Sequence, residues 1–300
     1  MINKICQKKS PCNKIFYRLS VIIIDISRKI LYTIFNLLTK RLNIFTKVVL
    51  SMLDVANLSF HYQPQLPILN NLSFSVPDGK IVGLLGKNGV GKTTTLKLLL
   101  GLLPIERGHI TLDAISLTAQ PLRYKERLNY VSDSHAIYNN LTGKEYLNFV
   151  ADMYSVSSEA RNQIYPPLVQ AFQIEHYLPF PIKKLSHGTA QKIAIIASLV
   201  NDPALWILDE PMTGLDVEAV QILKALIRSR TARGKSVLFS SHILEICEKL
   251  CDIVLIMHHG TIAKTIALNE QSLADSLENL YLEVIANDPL AEDHAIKHRP

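Results

Sequence analysis

One segment of the sequence combines glycines, a lysine and hydroxyl residues in a spacing that suits phosphate chemistry. After the apolar stretch 80–85 it reads, in order, Gly86, Lys87, Asn88, Gly89, Val90, Gly91, Lys92 and Thr93, and Thr94 then opens an apolar helix. In this P-loop pattern the glycines let backbone N–H groups turn inward, and the helix N-terminus adds partial positive charge. Lys92 is expected to neutralise the β- and γ-phosphates and Thr93 to bind Mg²⁺. The segment predicts binding of a nucleoside triphosphate.

Two adjacent acids, Asp209 and Glu210, follow a second apolar strand that lies more than a hundred residues further along the chain. Without other motifs, an acidic pair at the end of a strand is often only a solvent-exposed strand end with no catalytic role. Adjacent residues of a strand point to opposite sides, so the two acids are expected to divide the work. With the P-loop upstream, Asp209 is predicted to hold Mg²⁺ and Glu210 to polarise the attacking water.

Composition and charge narrow the class of protein. Of the 300 residues 48% are apolar and 19% charged, which is typical of an ordered globular chain and excludes disordered, collagen-like and coiled-coil classes. The net charge of +6 is concentrated in residues 1–50, which hold ten of the 32 basic and one of the 26 acidic residues. The remaining 250 residues hold 22 basic and 25 acidic residues, so we expect no nucleic-acid partner. With four cysteines a disulfide framework is not expected, and Cys247 and Cys251 are interpreted as small apolar residues on one buried helix face.

Residues 1–51 form a basic, apolar N-terminal extension. Charges at Arg18, Asp25, Arg28 and Lys29 interrupt its apolar runs, which disfavours a membrane-spanning helix. Three interpretations stay open: an amphipathic helix on an anionic membrane surface, a membrane anchor, and a start codon assigned too far upstream, since Met52 directly precedes the first domain strand.

From residue 52 onward, short apolar strands alternate with helical stretches. The strands are predicted at 81–85, 205–208, 237–239 and 253–257. This alternation is typical of an α/β domain with a parallel sheet covered on both faces. Functional residues are then expected at the carboxyl ends of the strands, where the P-loop and the acidic pair fall.

Further motifs stand in a fixed order around the acidic pair: a Leu-Ser-His-Gly-Thr run at 185–189, Thr-Gly-Leu-Asp at 213–216 and Ser-Ser-His at 240–242. Together with the P-loop they resemble the ATP-binding subunits of ABC transporters, and the resemblance covers residues 52–267. The pattern is most similar to bacterial exporters of drugs, antibiotics or polysaccharides whose permease is a separate chain. The resemblance implies a P-loop NTPase core with a parallel sheet, an N-terminal antiparallel β portion and an inserted helical subdomain at about 134–185. Residues 268–300 remain as a short C-terminal tail.

The resemblance also implies roles for single residues. Tyr62 would stack on the adenine of ATP. Ser186 and Gly188 would contact the γ-phosphate of the ATP bound to the other subunit, so that catalysis needs a head-to-tail dimer. Asp216 would couple the two sites, and His242 would contact the γ-phosphate and the attacking water.

The chain departs from the family pattern in two places. Asp133 stands where the family usually has glutamine; it can still bind Mg²⁺ or orient water, but it reaches less far. His187 and Thr189 replace the Gly and Gln of the commonest signature and leave Ser186 and Gly188 in place. Loss of hydrolysis is not implied.

The region 134–185 carries its own helix signals. Thr142 and Glu145 form a capping box that begins a helix. Pro166, Pro167, Pro179 and Pro181 are expected to punctuate the remainder. In the family, this subdomain contacts the coupling helices of the permease.

The sequence therefore predicts an ATPase subunit of an ABC exporter that works as a dimer with a separate transmembrane permease, peripheral on the cytoplasmic face of the membrane, with ATP and Mg²⁺. The alternative is a soluble ABC ATPase that acts on ribosomes or DNA. It is disfavoured because the chain has one nucleotide domain, and the interval between Lys92 and Ser186 leaves no room for a long coiled coil.

Overall fold

The computed structural model describes residues 51–63, 65–133, 138–268 and 276–286. The chain divides into two units, Met1–Val49 and Leu50–Pro300, and all described residues belong to the second. The predicted N-terminal extension 1–51 lies outside the described residues except for Ser51, which begins the first strand, and residues 269–275 and 287–300 of the predicted tail also lie outside them. A helix long and apolar enough to cross a membrane is not found in the part of the chain that is described.

Strands and helices alternate along most of this unit. The strands are β1 (Ser51–Gln63), β2 (Leu66–Pro77), β3 (Ile81–Leu85), β4 (Arg107–Leu112), β5 (Ile115–Ser116), β6 (Leu128–Val131), β7 (Leu205–Asp209), β8 (Ser236–Ser241), β9 (Ile253–His258) and β10 (Thr261–Ala267). The α-helices are α1 (Lys92–Leu99), α2 (Pro121–Lys125), α3 (Gly143–Met153), α4 (Ser158–Ala171), α5 (His187–Ala197), α6 (Val217–Ala232), α7 (Leu244–Leu250) and α8 (Leu277–Ala286). Short 3-10 turns occupy Glu175–Tyr177 and Ile182–Lys184.

The central sheet carries the strands that were predicted to position the site. Within the described residues its order is β10-β9-β3-β8-β7-β6. The strands from β9 to β6 run parallel, as predicted, and β10 is antiparallel to β9. The hairpin between β9 and β10 turns through His259 and Gly260, which both have positive φ, the conformation that tight two-residue hairpins require.

Both faces of this sheet are buried, as predicted for a parallel sheet that is covered on both sides. Trp206 and Leu208 of β7 join a core that is covered by helices α3 to α7. Leu205 and Ile207, which alternate with them, join a second core with α1 and the first strands. A continuous apolar run is therefore needed in β7, because each of its faces contacts a different layer.

A second, antiparallel sheet has the order β2-β1-β4-β5 and packs over α1. It corresponds to the antiparallel β portion that the resemblance implied. The predicted α/β fold class is confirmed.

The helices between β6 and β7 differ from the sequence prediction in one respect. The capping box is confirmed, since the Thr142 side chain accepts from the Glu145 N–H and Glu145 accepts from the Thr142 N–H. The prediction that Pro166 and Pro167 interrupt this region is wrong, because both lie inside α4.

Packing explains how α4 continues through two prolines. Each proline removes one backbone hydrogen bond, at a cost of about 3 kcal/mol in a helix interior. Both are exposed, as are the residues four positions earlier, so water can reach the carbonyls that lose their partners. On the other face Tyr165 and Val169 are buried, and the Tyr165 hydroxyl donates to the Leu147 carbonyl at 2.7 Å.

Candidate nucleotide-binding site

The P-loop connects the end of β3 to the start of α1, as the sequence predicts. Gly91 is the N-cap of α1 with φ 109°, a backbone conformation that residues other than glycine rarely adopt. A Cβ added at Gly91 would lie 2.8 Å from Leu69 Cδ2 and 2.9 Å from Met257 Cε. Glycine is therefore required here both for the backbone angle and for the space. Gly101 follows the other end of α1 with φ 62°, as expected for a glycine that ends a helix.

The ammonium of Lys92 lies at the centre of this loop although only 6% of the residue is exposed. Its Nζ donates to the carbonyls of Gly86 at 2.7 Å and Lys87 at 3.2 Å. It also lies 3.5 Å from Glu210 Oε1. A buried positive charge is stable only with such partners, and a phosphate would be a stronger one.

Asp209 ends β7 with its carboxylate surrounded by hydroxyl donors. Thr93 Oγ1 donates to Oδ2 at 2.9 Å, and the Tyr130 hydroxyl donates to the same oxygen at 3.3 Å. Ser240 Oγ donates to Oδ1 at 2.5 Å. Burial raises the pKa of Tyr130 well above its ordinary value, and the negative charge of Asp209 raises it further, so this hydroxyl stays a donor.

The side chain of Glu210 has different partners from that of Asp209. Its Oε2 lies 3.1 Å from His242 Nδ1. The opposite oxygen faces Lys92, so the two acids have different partners although both line the same cavity. Strand alternation, from which a division of work was predicted, does not explain this, because Glu210 lies beyond the end of β7. Glu210 has φ 45°, a left-handed conformation that breaks the extended backbone directly after Asp209, the last residue of β7.

These groups surround one cavity of about 490 Å³, a volume within the ordinary range for small-molecule sites. Its lining residues are Ile68, Asn88, Gly89, Gly91, Lys92, Thr93, Thr94, Asp133, Asp209, Glu210, Thr213 and His242. The cavity thus combines most of the predicted P-loop residues with Asp133, the acidic pair and the histidine. Ile68 and Thr213 were not predicted from the sequence.

Other predicted site residues lie outside this lining. Gly86, Lys87 and Val90 belong to the P-loop backbone around it. The Tyr62 ring is 56% exposed and meets the edge of Phe60 at a centroid distance of 5.0 Å, in a T-shaped arrangement. Its accessibility leaves room for a base to stack.

Ser186 and Gly188 stand at the start of α5. Ser186 caps the helix, accepting from the Thr189 N–H at 3.2 Å, and its hydroxyl lies 2.8 Å from that of Thr189. Gly188 approaches the loop after β7 so closely that an added Cβ would lie 2.4 Å from the Gly214 carbonyl oxygen. The two motifs therefore pack backbone against backbone.

Asp216 joins the same two elements by charge. It caps α6 by accepting from the Ala219 N–H at 2.8 Å, and it accepts from Lys192 Nζ of α5 at 2.6 Å. The hydrogen bond from Lys192, and then that from Ala219, lowers the pKa of Asp216 below its ordinary value. Lys192 was not identified from the sequence, although its place four residues after Gly188 lies one helical turn further along the same face.

A parallel sheet with a P-loop after one strand and a paired acid after another defines a P-loop ATPase cassette. A family model described as "ABC transporter" matches residues 69–213. The ABC-type transporter ATP-binding protein EcsA of Bacillus subtilis is 34% identical over 244 residues, which cover 80% of this chain and 98% of that protein. The Nod factor export ATP-binding protein I of Burkholderia orbicola is 35% identical over 208 residues, which cover 69% of this chain and 68% of that protein.

Solved structures agree with the sequence relatives. A structure described as the ATP-binding subunit of an ABC transporter is 32% identical, has a TM-score of 0.74, and is matched over 78% of this chain and 100% of its own. This chain belongs to the ATP-binding proteins of the ABC transporter family. It is an ATP-binding and ATP-hydrolysing subunit that powers such a transporter, and the soluble alternative is not favoured.

Proposed function

We propose that this chain hydrolyses Mg²⁺-ATP with Glu210 as general base, in a head-to-tail dimer that drives an exporter with a separate permease. The observation that carries the catalytic part is the meeting of Lys92, Thr93, Asp209, Glu210 and His242 around one cavity. A phosphate cradle, metal-binding oxygens and a base are the parts that phosphoryl transfer to water requires.

The residues present fit a magnesium ion. Thr93 Oγ1 and Asp209 Oδ2 lie 2.9 Å apart, and Asp133 lines the same cavity. Hydroxyl and carboxylate oxygens are the ligands Mg²⁺ prefers, in combination with phosphate oxygens of a nucleotide. These three residues would hold the ion, which when bound neutralises charge on the β- and γ-phosphates.

The protein's own groups would perform the proton transfer. Glu210 accepts a proton from a water molecule as the water oxygen attacks the γ-phosphorus. The bond from that phosphorus to the bridging oxygen breaks, and ADP and phosphate leave. His242, 3.1 Å from the Glu210 carboxylate, fixes its direction, and Lys92 stabilises the negative charge that develops.

The head-to-tail dimer is supported by three predicted site residues that do not line the cavity of their own chain. Ser186, Gly188 and Asp216 are not among its lining residues. Ser186 is exposed at the N-terminus of an eleven-residue helix, where N–H groups and the helix dipole favour an anion. In a head-to-tail dimer, Ser186 of one copy would contact the γ-phosphate of the ATP that is bound at the P-loop of the other copy.

Glu210→Gln tests the catalytic assignment. We expect kcat to fall by about 100- to 10,000-fold, since a general base contributes rate on that order. ATP should still bind, and the chain should accumulate as a dimer with two bound nucleotides, measured by light scattering. Glu248→Gln, on the exposed face of α7, is the matched control. A monomeric Glu210→Gln protein with normal turnover would refute the proposal.

A surface groove supports the permease partner. A cavity of about 290 Å³ lies between the sheet domain and the helices α3 and α5. Aromatic and aliphatic side chains line it, including Tyr138, Phe149 and Met153. Met153 is 66% exposed and Leu102, at the other wall, 63% exposed. An apolar groove of this kind suits a short apolar helix from another protein.

We infer export as the direction, because the Nod factor export relatives are 30% identical or more. The chain would then lie peripherally on the cytoplasmic face, held by the permease. Met153→Asp should abolish co-purification with the permease and leave the ATPase rate of the isolated subunit unchanged. Leu122→Asp, a 78% exposed residue of α2 outside the groove, is the control. Retained co-purification in Met153→Asp would exclude this groove.

A further inference from the structure

Ser240, at the carboxyl end of β8, is fully buried and lies beside both acids of the site. The parallel register pairs Ser240 directly with Asp209 across β7 and β8. Its Oγ donates to Asp209 Oδ1 at 2.5 Å and accepts from the Glu210 N–H at 3.0 Å. The Ser240 hydroxyl thus donates one hydrogen bond to Asp209 and accepts another from Glu210, the two successive residues of the acidic pair.

The second of these bonds stabilises an unusual backbone conformation. Glu210 has φ 45°, and a non-glycine residue in this region costs of the order of 1–3 kcal/mol unless its surroundings hold it. The N–H of Glu210 is held by Ser240 rather than by a neighbouring strand carbonyl. The same conformation directs the carboxylate toward Lys92 and His242.

The hydrogen bond from Ser240 to Asp209 Oδ1 determines which Asp209 oxygen faces the P-loop. Ser240 occupies Oδ1, so Oδ2 is the oxygen that meets Thr93 Oγ1. The Tyr130 hydroxyl, which contacts Oδ2 from β6, restrains the carboxylate from the other side.

We propose that Ser240 is a positioning residue that fixes the metal-binding oxygen of Asp209 and the backbone of Glu210 at the same time. This inference rests on the proposed function of the acidic pair. Removal of groups that orient metal ligands typically costs about 10- to 100-fold in metal affinity or activity. Loss of the Ser240 hydroxyl should therefore impair Mg²⁺ use and turnover together, while ATP binding to the P-loop without Mg²⁺ remains.

The same strand offers a matched control. Ser236, at the opposite end of β8, is also fully buried, and its hydroxyl also makes two hydrogen bonds, both to backbone groups: it accepts from the Gly79 N–H and donates to the Pro77 carbonyl, each at 3.0 Å. Ser236→Ala removes as many hydrogen bonds as Ser240→Ala but lies away from the cavity lining.

The experiment compares the full-length wild type, Ser240→Ala and Ser236→Ala. For Ser240→Ala we expect the Mg²⁺ concentration that gives half-maximal ATPase to rise about tenfold and kcat to fall about tenfold or more. Binding of a fluorescent ATP analogue in EDTA should stay within about twofold of wild type. Ser236→Ala should lower the thermal midpoint comparably and leave both kinetic values within about twofold.

Three outcomes decide the matter. An unchanged Mg²⁺ requirement and kcat in Ser240→Ala would overturn the inference, as would equal losses in the two variants. If Ser240→Ala does not fold, Ser240→Cys fills the space with a weak donor, and wild-type kinetics in that variant would likewise overturn it. Glu210→Gln, measured beside them, separates the two proposals: normal turnover there refutes the proposed base, whereas loss of turnover there with an unaffected Ser240→Ala refutes only the positioning role.

Discussion

The close packing of α5 against the loop after β7 leads to a prediction about Gly188. A Cβ at this position would lie 2.4 Å from the carbonyl oxygen of Gly214, and its next nearest atoms, the Gly214 carbonyl carbon and Leu215 Cα, are also backbone atoms, which cannot rotate away. Carbon–oxygen contacts normally begin near 3.3 Å, so Gly188→Ala must separate the two segments by about 0.9 Å. A misplacement of about 1 Å near reacting groups can cost about 100-fold in rate. We expect kcat to fall by that order and stability to fall by about 1–3 kcal/mol.

The assay has to separate lost stability from lost geometry. Gly234 provides the control, because its φ of 79° makes Gly234→Ala strained while nothing lies within 4 Å of the added Cβ. That strain costs about 1–2 kcal/mol and does not touch the site. ATPase rates at saturating ATP, ATP affinity and urea unfolding are measured for both variants. The ATP affinity of the isolated subunit should be unchanged in both, because neither residue lines the cavity at the P-loop. If Gly188→Ala turns over ATP as fast as Gly234→Ala, the steric reasoning is wrong.

Further predictions concern binding, pH and thiol reactivity. Lys92→Ala should weaken ATP binding more than tenfold in a titration with a fluorescent analogue, since the loop would lose its buried charge; unaltered affinity would refute the phosphate role. Lys192→Gln should lower the free energy of unfolding near pH 7 by at most about 1 kcal/mol, because the Asp216 carboxylate is 57% exposed and solvent screens the pair, although the Lys192 side chain is only 15% exposed. Because the pKa of Asp216 is lowered in the folded protein, its pair with Lys192 stabilises the fold above the ordinary carboxyl pKa and is lost as the pH falls through the lowered pKa. In urea titrations the difference between Lys192→Gln and wild type should therefore shrink as the pH is lowered below the ordinary carboxyl range; a difference that does not depend on pH would contradict the ion pair. Cys247 and Cys251 are buried, and burial raises the pKa of the Cys251 thiol, so mass mapping after iodoacetamide treatment at about pH 8 should find both unmodified until urea is added.

The P-loop could be predicted from sequence because its chemistry is local. Consecutive residues from Gly86 to Thr94 supply both the backbone angles and the ligands, and flanking apolar runs reveal the strand and helix that hold them. The acidic pair could be predicted for the same reason. Its position at a strand end follows from the apolar run before it.

Contacts between strands could not be predicted in the same way. Tyr130 and Ser240 reach Asp209 only because β6, β7 and β8 are neighbours in a particular register, and no spacing along the chain encodes that register. Ile68 enters the cavity from the antiparallel sheet for a similar reason.

The two prolines of α4 illustrate a different limit. Pro166 and Pro167 locally disfavour a helix, and the sequence prediction followed that preference. Burial of Tyr165 and Val169 against the neighbouring helices outweighs it, and this tertiary contribution is not visible in a window of sequence.

The central claim is that this ATPase site drives a separate membrane-spanning permease. The most direct test is affinity purification of tagged Glu210→Gln protein with Mg²⁺-ATP from detergent-solubilised membranes of the source cells, with partners identified by mass spectrometry and Met153→Asp in the same background as the control. We predict recovery of one multi-helix membrane protein with Glu210→Gln, and its loss when Met153→Asp is added. Recovery of ribosomal or DNA-bound proteins instead, with the tagged protein in the soluble fraction, would contradict the claim.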